Sequence, residues 1–167
     1  MNVLIMSANG FEDSELLVPF YRLQEAGFGV DVAAAARGTI IGKHGYEVRV
    51  DKSFGEVDPA GYAALVLPGG KAPAAIRDLP EVKEIARAFV TADKPVGAIC
   101  HGPQVLISSG LLTGRQATCY RSVRDELTAA GARYLDREVV VDGRLVTSRQ
   151  PGDLPAFMRE LLRLLPT

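Results

Sequence analysis

Short apolar runs alternate with amphipathic runs from one end of this chain to the other, and that alternation limits the fold more than any other feature. Val3 to Ser7 reads as a buried strand, and Ser14 to Ala26 as a helix with Leu16, Leu17, Phe20 and Leu23 at helical spacing and Gly27 as its stop. Gly29 to Ala34 reads as a strand again. Gly38 to Val50 has the pattern of a hairpin turning at Gly42-Lys43-His44-Gly45. Ala63 to Leu67 and Pro95 to Ile99 are core strands, with helical patterns over Glu81 to Thr91 and Gln104 to Ser109. Beyond them follow a short strand at Gln116 to Tyr120, a helix over Val123 to Ala130, a strand pair around Asp142-Gly143 and a last helix over Leu154 to Leu165 capped by Asp153. Strand and helix alternating in this way imply an α/β fold: a mostly parallel sheet with helices on both faces. With 167 residues and no linker, repeat or low-complexity tract, residues 1–167 are expected to form one domain.

Composition excludes several classes of function. A formal net charge of −1 offers no basic surface to nucleic acid or to an anionic membrane. No apolar run approaches the ~20 residues of a membrane span, and the opening Val3-Leu4-Ile5-Met6 lacks the flanks of a signal peptide. The two cysteines, in unlike contexts, cannot build a disulfide framework, which points to a reducing compartment, the cytoplasm. No Cys-x-x-Cys or His-x-His spacing suggests a metal, and no glycine-rich phosphate loop suggests a nucleotide cofactor. No cofactor is expected.

In a parallel sheet, ligands bind beyond the carboxyl ends of the strands. Three unusual segments each follow a core strand and so converge there: Asn9-Gly10-Phe11-Glu12-Asp13, Pro68-Gly69-Gly70-Lys71 and Cys100-His101-Gly102. Cys100 falls where a strand ends and a helix begins. There the dipole and free N–H groups favour a thiolate and should lower its pKa; His101 beside it can relay protons near neutral pH. A buried cysteine acting only as a small core hydrophobe fits the same local pattern. Glu12 suits two descriptions as well, a carboxyl partner for the thiol or, with Asp13 and Glu15, an ordinary acid at a helix N-terminus. Gly69-Gly70 fits either a tight turn or a backbone that offers N–H groups to an oxyanion. Tyr120 can reach the same edge as a substrate contact. His44, in its turn between glycines, is a weaker candidate contact, and Cys119 reads as a core filler.

Taken together, these segments resemble the PfpI family, whose superfamily includes the Parkinson-associated deglycase. The resemblance is carried by Ser7-Ala8-Asn9-Gly10-Phe11-Glu12-Asp13-Ser14-Glu15-Leu16, Arg37-Gly38-Thr39, Gly42-Lys43-His44-Gly45-Tyr46, Leu67-Pro68-Gly69-Gly70, Ala98-Ile99-Cys100-His101-Gly102-Pro103, Val139-Val140-Val141-Asp142-Gly143 and Thr147-Ser148-Arg149. It implies a flavodoxin-like three-layer α/β/α sandwich with the nucleophile on a strained elbow. It also implies that Cys100 is the nucleophile, Glu12 its carboxyl partner, His101 the adjacent base, and the N–H groups of Gly70 and His101 the oxyanion donors. A homodimer is implied, and in the peptidase-like branch a hexamer. In that branch a Glu from a neighbouring subunit follows an Ala-Pro pair and completes the site. Here Ala72-Pro73 is followed by Ala74, so that acid is missing. An imidazole with no carboxylate to orient it is poorly suited to expelling an amine.

Three activities fit these residues. A cofactor-free enzyme of stress defence would act on small dicarbonyls or glycated proteins, as glyoxalase III and deglycase members do, and needs only a thiolate, proton carriers and an oxyanion site. An intracellular cysteine peptidase would use Cys100 and His101 but lacks the acid at Ala74. A redox sensor or holdase would use an oxidised Cys100 and no turnover.

Overall fold

The computed structural model describes residues 1–167. The central sheet has seven strands: β1 (Asn2–Met6), β2 (Gly29–Ala34), β5 (Lys52–Ser53), β6 (Tyr62–Leu67), β7 (Val96–Ile99), β10 (Val140–Asp142) and β11 (Leu145–Ser148). Their order is β10-β11-β7-β6-β1-β2-β5, and every neighbouring pair is parallel except β10 with β11. Strand residues alternate between the two faces. Leu4, Met6, Leu65, Leu67 and Ala98 pack on one side with Val82, Ile85 and Phe89 of α3 (Pro80–Thr91), Val105 and Leu106 of α4 (Pro103–Ser108) and Leu127 of α5 (Arg124–Ala129). Val3, Ile5, Ala64, Val66 and Val146 face the other way, against Leu16 and Leu23 of α1 (Asp13–Glu25) and Phe157 and Leu161 of α6 (Leu154–Leu164). This is the expected flavodoxin-like sandwich, and the near-continuous apolar strands follow from burial on both faces. No helix is long and apolar enough to cross a membrane.

The hairpin forms as read, from β3 (Gly38–Ile41) and β4 (Glu47–Val50), and stands outside the main sheet. Two expectations are corrected, and one helical turn that the sequence did not announce is added. The strand at Gln116 to Tyr120 shrinks to β8 (Gln116–Ala117) and pairs not with the core but with β9 (Arg133–Tyr134). A helical turn, α2 (Ala72–Ile76), follows the glycine pair, where proline at its start and three alanines left no apolar stripe to read. Asp153 does not cap α6. Its buried carboxylate accepts from the backbone N–H of Arg149 at 2.9 Å and from its guanidinium at 3.0 and 3.1 Å. That pair folds the chain leaving β11 back against its own helix.

Candidate active site

The parallel register sets the ends of β6, β7 and β11 side by side, with Leu67 opposite Ala98 and Ile99 opposite Ser148. The loop after β7 begins with Cys100 at φ 63°, in the left-handed region that a non-glycine residue enters only under constraint. The constraint is visible. Cys100 N–H donates to Ser148 C=O at 2.9 Å, its own C=O accepts from Tyr120 N–H at 2.9 Å, and Gly102 N–H donates to Ile99 C=O at 2.8 Å. A Cβ on Gly102 would collide with the Leu67 carbonyl, so only glycine lets this turn close. The elbow aims the sulfur away from the sheet into a cleft of about 780 Å³ lined by Glu12, Glu15, Lys43, Gly70, Lys71, Ala74, Cys100, His101, Gln104, Tyr120 and Pro151.

Backbone N–H groups of His101 and Gly70 approach the sulfur, and the Glu15 carboxyl lies beside it. Glu15 is fully buried; its Oε1 accepts from Gly69 N–H at 2.9 Å, and its Oε2 has no nitrogen or oxygen partner. Here the structure corrects the expectation for Glu12. The Glu12 carboxylate is spent on Lys43 Nζ at 2.7 Å, with His44 Nε2 3.5 Å from its other oxygen. Glu15, one helical turn on, is the acid delivered to the sulfur. It was read as one more acid of a first turn; the signal was its place in the buried stripe Glu15, Leu16, Pro19, Leu23.

Burial also overrules the helix-end argument for the thiol. Desolvation first, then the charge of Glu15, pushes the Cys100 thiol up to about 12, against the pull of the two N–H groups. Desolvation likewise pushes Glu15 up to about 8. The two acids share one dry site and do not ionise together. With Glu15 neutral at pH 7, the charge that opposes a thiolate is gone and a carboxylic O–H faces the sulfur as a donor. The thiolate thus forms against a protonated Glu15, not beside an ionised one.

His101 Nδ1 lies 3.2 Å from Cys100 Sγ, and its ring stacks at a tilt on Tyr120, 5.1 Å between centroids. Desolvation, then the charge of Lys43, lowers its pKa, so the imidazole is neutral and able to accept a proton. Its far nitrogen meets only the Ser122 hydroxyl at 3.4 Å. No carboxylate of this chain orients it, and Ala74 sits on the cleft wall. Of the remaining candidates, Gly70 and Tyr120 line the cleft, whereas Gly69 is buried with its N–H committed to Glu15 and its C=O to Glu12 N–H. His44 is exposed on the rim. Cys119 is buried in the core opposite α1 and α6. Lys43, Lys71 and Gln104 were missed: nothing local distinguishes a lysine in a loop, or a glutamine in the first turn of a helix such as α4, until the loops are brought together.

A flavodoxin-like sandwich with a cysteine on a strained strand–helix elbow and a buried glutamate against its sulfur defines a class of cysteine-centred α/β proteins. The chain belongs to the DJ-1/PfpI family, whose model matches residues 1–164. It is 54% identical to the protein named deglycase PfpI of Pyrococcus furiosus, over 99% of both chains. It is 46% identical to the putative cysteine protease YraA of Bacillus subtilis, over 98% of this chain and 97% of that one. Among solved structures, a two-domain protein of Anabaena variabilis with a DJ-1/ThiJ/PfpI-like and a ferritin-like domain superposes with a TM-score of 0.95 at 38% identity, covering 99% of this chain and 50% of that one.

Proposed function

We propose that this protein is a cofactor-free enzyme that uses Cys100 to convert reactive dicarbonyls or the adducts they leave on proteins. The observation that carries the reading is a sulfur flanked at once by a protonated Glu15, the His101 imidazole and two backbone N–H groups. With methylglyoxal the Cys100 thiolate adds to the aldehyde carbon, and the N–H groups of Gly70 and His101 stabilise the oxyanion. Protonation of that oxygen gives a hemithioacetal. A base, His101 or ionised Glu15, removes the proton from the former aldehyde carbon; an enediolate forms, and the proton returns to the neighbouring carbon. The resulting thioester is hydrolysed, releasing lactate and the thiol, so that one water is added overall. None of these steps needs an acid at position 74. Relatives named deglycase support the class; the dicarbonyl substrates and assembly as a homodimer belong to the same proposal and rest on the family resemblance alone.

The test is purified protein with methylglyoxal and no added glutathione. Lactate should appear and should vanish in Cys100→Ser. Casein cleavage without lactate would move the reading to a peptidase acting through Cys100 and His101.

A further inference from the structure

Lys71 follows Gly70, whose N–H approaches the sulfur, and it lines the same cleft. Its position is fixed: Lys71 N–H donates to Gly10 C=O at 2.8 Å, and its stem lies over Gly10, where an added Cβ would come within 3.1 Å of Lys71 Cβ. Glycine at position 10 leaves the groove in which that stem rests. Lys71 has no carboxylate partner anywhere in the chain, whereas the other cleft lysine, Lys43, is paired with Glu12. The remaining charges facing the cleft cancel or are absent at neutral pH. Glu12 and Lys43 neutralise each other, Glu15 is held protonated by desolvation, and His101 is neutral. Asp13 is turned away, onto the backbone N–H groups of His44 and Tyr46. Before the thiol ionises, the cleft therefore carries one uncompensated formal charge, the Lys71 ammonium. The volume, about 780 Å³, far exceeds what a three-carbon dicarbonyl fills. The cleft thus has room and one free cation beyond the reacting centre.

We propose that Lys71 is a specificity residue that receives a carboxylate on the substrate within a few bonds of the carbon attacked by Cys100. Anionic adducts are thereby favoured over neutral ones of the same size. This rests on the cysteine-enzyme reading for its biological meaning, but the anion preference itself is a property of the cleft and can be measured without turnover.

The experiment compares alkylation of Cys100 by iodoacetate and iodoacetamide, reagents of nearly equal size that differ by one charge. In each case the sulfur displaces iodide. The ratio of the two rates should fall at least threefold in Lys71→Met and further in Lys71→Glu, and should stay unchanged in Lys83→Met, on α3 and outside the cleft. Added salt should erode the wild-type ratio toward that of Lys71→Met. An unchanged ratio in Lys71→Met overturns the proposal. In turnover, the methylglyoxal hemithioacetals of N-acetylcysteine and of its amide form the matching pair. Lys71→Met should raise KM severalfold for the carboxylate alone and leave kcat unaltered. A wild type that turns over neither, yet shows the Lys71-dependent alkylation ratio, refutes the function proposed above and leaves the anion site standing.

Discussion

At the scale of single residues, the site turns on where one proton sits between Cys100 and Glu15. A carboxyl whose folded pKa stands near 8, against an ordinary 4.5, keeps a proton that the unfolded chain has released. The folded state is then favoured below pH 4.5 and loses that advantage as pH rises toward 8, at up to about 1.4 kcal/mol per pH unit. Glu15→Gln keeps an acceptor for Gly69 N–H and removes the titration. Its urea-unfolding free energy should therefore vary less between pH 5 and 8 than that of the wild type, and should exceed it at pH 8. Parallel curves would mean that the Glu15 carboxyl is not desolvated. In the same variant turnover should drop about a hundredfold or more, because the amide cannot exchange a proton with the reacting centre. Gly70 is the second decisive residue. It holds φ 79°, and a side chain there would run into Glu12 N–H and the Gly10 carbonyl. Gly70→Ala should displace the N–H from the sulfur and cut kcat by 10²-fold or more, with Cys100 still open to iodoacetamide. Retained kcat would remove Gly70 from the oxyanion role.

Among elements, the hairpin matters more than its place outside the sheet suggests. Asp13, the first residue of α1, accepts from His44 and Tyr46 N–H at 3.0 Å each, and a Cβ on Gly42 would strike its carboxylate. Gly10 N–H donates to Ile41 C=O at 2.8 Å and Lys43 N–H to Phe11 C=O at 2.9 Å. These bonds sew the 42–46 turn to the N-terminus of α1 and deliver Lys43 to Glu12. Desolvation raises the Asp13 carboxyl, but the two backbone donors outweigh it and hold the group below its ordinary value. The turn is thus tightest with Asp13 ionised and loosens as acid protonates it. Asp13→Ala leaves two donors unpaired and should cost about 1–2 kcal/mol of unfolding free energy. It should also free Glu12 from Lys43, seen as faster amide exchange across residues 42–46. Protection equal to the wild type would show that the turn holds without its acid. Asp13 was read from sequence only as part of a helix-end acid cluster. A carboxylate that caps a turn some 30 residues away leaves no local pattern, because its partners are backbone groups that any residue can supply.

For the whole molecule, legibility divides along the same physical line. The strands β1, β2, β6 and β7 and the helices α1, α3 and α6 were readable because each buries one face or both and so imposes a period on its own sequence. The convergence of loops on one edge, and Cys100 among them, followed from parallel topology alone. Glu15, Lys71 and the dry environment that raises the thiol depend on contacts across the sheet edge, and no period records those. The same division predicts how stability and chemistry come apart. Gly97, in the middle of β7, admits the Phe157 ring so closely that an added Cβ would lie 2.8 Å from its Cζ. That contact holds α6 to the strand that ends in Cys100. The elbow itself is fixed from other directions, by Ser148 and Tyr120 through backbone hydrogen bonds. Phe157→Ala should then cost about 3–5 kcal/mol through the cavity it leaves, measured by urea unfolding. Yet in the fraction that remains folded at low temperature, the alkylation rate of Cys100 and its pH profile should match the wild type within about twofold. A shifted profile in that variant would show that the helix layer, and not the edge of the sheet, holds the sulfur in its reactive setting.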